Sequence, residues 1–269
     1  MMNTSDLDAA PRGLVSALLA GAAIGVLGGL IGLGGAEFRL PVLIGLFGFV
    51  ALEAVIINKA TSLVVVVAAL IFRIRAVPID AVLNHISAVA TLLTGSLIGA
   101  WFGADLATRL HSRTLYNVIA AMLVGIAFVL LVAHDHPSNA ASFAPTTQIM
   151  LGVIAGFVIG VVASFLGVAG GELIIPTLVL LFGLDLKVAG SLSLAVSLPT
   201  MLVGFSRYSK DQSFKALAKY PRFVLAMAVG SIFGAFVGGL LLGIVPSNVL
   251  LPLLSAILLI SAFKVWRHK

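Results

Sequence analysis

Long apolar runs, interrupted at regular intervals by glycine-rich or polar stretches, dominate the chain. Uninterrupted apolar segments cover about 13–33, 54–72, 82–103, 115–133, 148–169, 188–206, 223–243 and 249–265. A bilayer core about 30 Å thick is crossed by a helix of about 20 residues, which matches these lengths. The pattern predicts an all-α polytopic membrane protein with about eight transmembrane helices. Leu40–Leu52 and Ile174–Leu184 are apolar but much shorter than a crossing requires. They are read as broken or re-entrant segments rather than full crossings.

The interruptions recur. Aligning the sequence with itself at one constant offset, without gaps, places Gly21, Gly25, Gly32, Gly35, Gly48, Gly95, Gly99 and Gly103 on Gly156, Gly160, Gly167, Gly170, Gly183, Gly230, Gly234 and Gly238. Chance would supply about one or two such pairs, so the eight observed indicate an internal duplication. Glu37 falls on Glu172, Pro41 on Pro176, Ser62 on Ser197 and Ser96 on Ser231. The expected organisation is an N-terminal tail (1–12), a first transmembrane repeat (13–133), a linker (134–147) and a second repeat (148–269). Duplicated membrane folds are the common ground plan of secondary transporters, although channels and some membrane enzymes share it.

Composition removes the soluble alternatives. The 269 residues are 61% hydrophobic and 10% charged, against about 45–50% and about 25% in soluble domains. That excludes a soluble enzyme, a nucleic-acid-binding domain and a disordered chain. The absence of cysteine removes disulfides, iron–sulfur clusters and thiolate chemistry. The net charge of +6 is then the basic bias of cytoplasmic loops, not a nucleic-acid footprint. Counting eight spans with the N-terminus inside, Arg12, Arg73, Arg75, Arg207, Lys210, Lys215, Lys219, Arg222, Lys264, Arg267 and Lys269 fall inside, while Arg39, Arg109, Arg113 and Lys187 fall outside. With ten spans, Arg73 and Arg75 exchange sides with Arg109 and Arg113 and the ratio is unchanged. Both counts put the termini in the cytoplasm; segment length alone favours eight.

Charged groups within membrane segments are costly and mark function by default. They concentrate in GGLIGLGGAEFRLP (28–41) and ASFLGVAGGELIIP (163–176). Gly34–Gly35 and Gly170–Gly171 allow the helix to unwind and a ligand to approach the backbone. Pro41 and Pro176 suit the first turn of a new short helix, whose free N–H groups and positive dipole end form an anion site. Glycines that merely permit close helix packing are the competing reading. Glu37 and Glu172 are the proton-coupling candidates, because burial disfavours the charged carboxylate; the alternative is an acid complementing a helix dipole. Asn58, Lys59, Thr61 and Ser62 in the first half, and Ser191, Ser193 and Ser197 in the second, are candidate donors to an oxyanion. Lys59 would pair with the anion, with Glu37 or with Glu53, or else snorkel to the headgroups. His134-Asp135-His136 is read as a solvated linker tract, so no metal site is expected and no cofactor is implied.

The two glycine-rich stretches, their spacing to Pro41 and Pro176, and the run GELIIPTLVLLFGLDLKVAGSLSLAVSLPT (171–200) resemble the sulfite exporter TauE/SafE family of bacterial membrane permeases. The resemblance covers essentially the whole chain. It implies a multi-span inner-membrane carrier for sulfite, sulfonates or related organic anions. Family members often carry a third glycine in the first motif, where this chain has Ala36 before Glu37 and Arg39.

The expected function is a secondary transporter, proton-coupled and exporting, whose partners are a small anion, protons and the lipid bilayer, with homo-oligomerisation left open. The alternative is an integral-membrane enzyme or assembly factor with an intramembrane polar site. The spans contain no His or Cys cluster suited to catalysis. No GxxxxGK[ST] motif is present for ATP-driven pumping.

Overall fold

The computed structural model describes residues 13–31, 35–73, 84–132, 144–184, 186–241 and 247–267. Gly34, the tail 1–12 and the His134-Asp135-His136 tract lie outside the described residues. Among the described residues all regular structure is helical: α1 (Leu14–Ile31), α2 (Ala36–Gly45), α3 (Ala51–Arg73), α4 (Ile86–Arg109), α5 (Ser112–Val132), α6 (Pro145–Leu166), α7 (Gly171–Phe182), α8 (Leu186–Tyr208), α9 (Lys215–Lys219), α10 (Pro221–Leu240) and α11 (Ser247–Arg267). Apolar stretches of 20–24 residues in α3, α4, α6, α8 and α10 are long enough to cross a membrane. Leu14–Leu30, Ser112–Phe128 and Gly171–Phe182 are shorter apolar helices. A helix satisfies its backbone polar groups internally, the requirement that lipid imposes. The chain is a multi-pass membrane protein.

Two glycine seams hold the bundle together. A Cβ on Gly21, Gly25 or Gly29 would collide with the carbonyl oxygens of Met227, Ser231 or Ala235, and one on Gly230, Gly234 or Gly238 with those of Leu18, Ala22 or Val26. Gly95 and Gly99 press in the same way on the carbonyls of Val153 and Phe157, and Gly156 and Gly160 on those of Leu92 and Ser96. Small residues every fourth position let the backbones approach, so dispersion can replace the hydrophobic force that lipid does not supply. The seams join α1 to α10 and α4 to α6, both pairs running parallel. Each pair takes one helix from either side of the 134–147 linker. These glycines serve close helix packing; Gly35 and Gly170 also lie close to the preceding helix and in addition have positive φ.

Helix directions depart from eight alternating crossings. Ser96 on α4 meets Thr200 on α8 at 2.7 Å, and further along α4 Asp105 accepts from Arg207 Nε at 3.0 Å. The two helices run parallel, whereas eight alternating crossings would set them antiparallel. The short helices account for the difference, because each turns the chain back on the helix before it. Gly170, at the start of α7, lies against Ile159 and Ala163 in the second half of α6. Near the other end, Gln148 Nε2 at the start of α6 donates to the Leu181 carbonyl at 2.6 Å. Gly35 similarly packs on Ile24 and Gly28 of α1, and Gly45 at the end of α2 reaches Lys264 near the end of α11.

Phe47 and Phe49, between α2 and α3, pack edge-to-face or tilted on Phe223 and Tyr220 at the start of α10 with ring centroids 4.8–5.4 Å apart. Since α1 runs parallel to α10, the start of α1 and the end of α11 share one face of the bundle. Pro41 and Pro176 lie inside α2 and α7 rather than in their first turns, because the helices already begin at Ala36 and Gly171.

Candidate functional site

The site is built where the two short helices begin. Gly35 (φ 66°) and Gly170 (φ 80°) precede α2 and α7 in the left-handed region, which costs other L-residues about 1–2 kcal/mol. Glycine supplies no capping side chain, so the first-turn N–H groups are uncapped by their N-cap residues and the positive ends of both helix dipoles remain available. These first turns carry Glu37 and Glu172.

The two acids, at matched positions of the two halves, face each other closely enough to interact as a like-charge pair. Glu37 is 1% exposed and Glu172 7%. Among the described residues, neither carboxylate oxygen of Glu37 nor Oε2 of Glu172 has a hydrogen-bond partner. A buried polar group without a partner is expensive, so the pair is suited to exchanging a proton or holding a ligand.

Arg39, fully buried, organises the first-half side of the pair and interacts electrostatically with Glu37. Its Nη1 donates to Asn58 Oδ1 at 3.1 Å and to Ser62 Oγ at 2.9 Å on α3. Its Nη2 donates to Ser231 Oγ at 3.1 Å on α10. A buried guanidinium is tolerated where such bonds replace its hydration. Asn58 Nδ2 donates to the carbonyls of Ala36 (2.9 Å) and Leu166 (2.8 Å). One amide thus ties the start of α2 to the end of α6, each carbonyl lying next to a glycine at a helix end.

The second-half hydroxyls behave differently. Ser193 and Thr200 bond back to carbonyls of their own helix, Gly190 at 2.8 Å and Val196 at 2.7 Å. Ser197, 1% exposed, has no partner for Oγ among the described residues. Ser191 is half-buried and points away from Ser193, two residues on. In the first half, Thr61 likewise turns back to Ile57 O at 2.9 Å. Gly171 is the buried first residue of α7.

Lys59 is fully buried, so it does not snorkel. Its Nζ donates to the Ala163 carbonyl at 3.3 Å beside Gly204 and Ser164. Ser164 Oγ donates to Ala100 O, and Tyr208 donates to Ser164 O, both at 2.8 Å. Among the described residues no ion pair joins Lys59 to Glu37 or Glu53; the pairs present are Asp105 with Arg109 and Arg207.

Sequence reasoning missed Arg39 as the centre of the polar network, along with Ser231, Ser96, Thr200 and Tyr208. The match of Ser96 with Ser231 was visible, but nothing local showed that one meets Thr200 and the other Arg39. Among the described residues, no group of three or more His, Cys, Asp or Glu side chains could hold a metal ion.

Comparison with known proteins agrees with the resemblance read from the glycine-rich stretches. No curated protein and no solved structure matches the chain. A family model described as "Sulfite exporter TauE/SafE" matches residues 17–265. That match reaches into every helix of the bundle and covers both glycine breaks, and the chain belongs to the sulfite exporter TauE/SafE family of membrane transporters.

Proposed function

We propose that this transporter is a proton-coupled secondary carrier that exports a small anion: sulfite, a sulfonate or a related organic acid. The observation that carries the reading is the facing pair Glu37 and Glu172, buried between two uncapped helix starts. An anion drawn to the helix N-termini would meet two carboxylates, and their charge opposes it. A proton held by the pair, with Arg39 balancing the charge that remains, removes that opposition, so anion and proton enter the site together. Glu172 is the proton carrier in this scheme and Glu37 a fixed charge held beside Arg39. Ile174 stands where Arg39 stands in the first half, so Glu172 has no cation two residues on, which supports that division.

The helix directions support ten crossings, five on either side of the 134–147 linker. In this arrangement α1 to α5 and α6 to α11 are inverted repeats, and α2 and α7 complete their crossings together with the glycine breaks. The bounds of α3 and α8, both 23 residues long and beginning at matched positions, fit that duplication. Arg109, Arg207, Lys264 and Arg267 then lie on one face. The positive-inside rule assigns that face, with both termini, to the cytoplasm of a bacterial inner membrane.

The test is flux of labelled sulfite, sulfoacetate and taurine in proteoliposomes, with and without an imposed pH gradient. Glu172→Gln should abolish the response to the gradient while leaving anion exchange measurable. Glu37→Gln should weaken binding or folding without altering the pH profile. Full pH-driven flux in Glu172→Gln would remove the proton-carrier role and leave dipole complementation as the account of this acid.

A further inference from the structure

The two halves place different side chains at matched positions around the facing acids. Two residues beyond Glu37, Arg39 fills a set of polar groups on α3 and α10: Asn58, Ser62 and Ser231. Two residues beyond Glu172 stands Ile174, the second-half match of Arg39. Ile174 packs in an apolar cluster with Leu192 and Val196 of α8. The groups matched to Arg39's partners are Ser193, Ser197 and Ser96, and no guanidinium reaches them. Ser193 turns back to its own helix and Ser96 pairs with Thr200. Ser197 Oγ, 1% exposed, has no partner among the described residues.

An unpartnered buried hydroxyl is costly, and a ligand would relieve that cost. Its first-half counterpart, Ser62, is already satisfied by a cation of the protein itself. Among the described residues, the second half therefore has the uncapped start of α7, an oxygen on Glu172 and a hydroxyl on Ser197 without hydrogen-bond partners, and Ile174 in place of the arginine.

We infer that the transported oxyanion binds on the second-half side only, accepting hydrogen bonds from Ser197 and the first turn of α7. Arg39 closes the matched place in the first half, leaving one anion site per chain. The inference rests on the anion-carrier reading above and deepens it: a duplicated fold works with one site because a single residue plugs the other. Glu172 Oε2 is the third group at this place, and a carboxyl can donate to an anion only while it holds a proton, which ties the site to the coupling proposed above.

The test is equilibrium binding of sulfite to the full-length protein in detergent, read by calorimetry and independent of flux, alongside proteoliposome exchange. Ser197→Ala should weaken sulfite binding about tenfold or more, the effect of losing a hydrogen bond to a charged ligand, with stoichiometry one in the wild type. Ser62→Ala, its matched variant, should weaken binding less than about threefold. Alanine suits a helix interior, and thermal unfolding of both variants checks the fold. Equal losses at Ser62 and Ser197, wild-type affinity in Ser197→Ala, or two sulfites per chain would overturn the inference. Wild-type protein that binds sulfite through Ser197 but does not exchange it would sink the carrier reading and leave the site standing. Wild-type protein that does not bind sulfite would overturn the inference, and one that also exchanges none of sulfite, sulfoacetate and taurine would overturn the carrier reading with it.

Discussion

Replacing Asn58 with leucine should destabilise the protein by about 3–5 kcal/mol. The side chain makes three buried hydrogen bonds, accepting from Arg39 Nη1 and donating to the carbonyls of Ala36 and Leu166. These connect α2, α3 and α6. Interhelical hydrogen bonds in membrane proteins average about 0.6 kcal/mol, so losing three sets a floor near ~2 kcal/mol. The two carbonyls sit where helices break, and one left without a donor adds about 1–3 kcal/mol. A total of about 3–5 kcal/mol follows. Leucine has the same branched skeleton of heavy atoms as asparagine, so the loss is one of bonding rather than of a cavity. Asn58→Ser, which copies the residue at matched position 193, should cost less because a hydroxyl can still serve one carbonyl. Reversible unfolding in mixed detergent and SDS measures both. A loss below about 1 kcal/mol for Asn58→Leu would refute the claim that this amide ties the two breaks together.

Gly35→Val and Gly170→Val should both abolish transport, since each forces a β-branched residue to positive φ. The first should also lower thermal stability, because a Cβ there meets the Ile24 backbone, while the second meets chiefly the side chains of Ile159 and Ala163. Normal flux in both would return these glycines to a packing role. Reporters inserted after Leu110 and within 209–212 should be active on the same side of the membrane, together with a C-terminal reporter. Opposite sides would restore eight crossings.

Much of this protein is written locally. Helix positions followed from the length of apolar runs, since lipid forces each run to close its own hydrogen bonds. The breaks followed from paired glycines, and Glu37 and Glu172 from the cost of charge in an apolar setting. Asn58, Ser62 and Ser197 were found because hydroxyls and amides are conspicuous in such a helix. Partnership was not legible. Arg39 stood out in the sequence only as a cation two residues from Glu37; only packing α3 and α10 against α2 delivers Asn58, Ser62 and Ser231 to its guanidinium. Lys59 read as a partner for an acid and sits instead against the Ala163 carbonyl. The parallel course of α4 and α8 was equally hidden, because short apolar segments look alike in sequence whether they dip into the membrane or complete a crossing. That choice depends on where the chain lands after each glycine, and contacts far apart in sequence decide it: Gln148 with Leu181, Gly45 with Lys264 and Asp105 with Arg207.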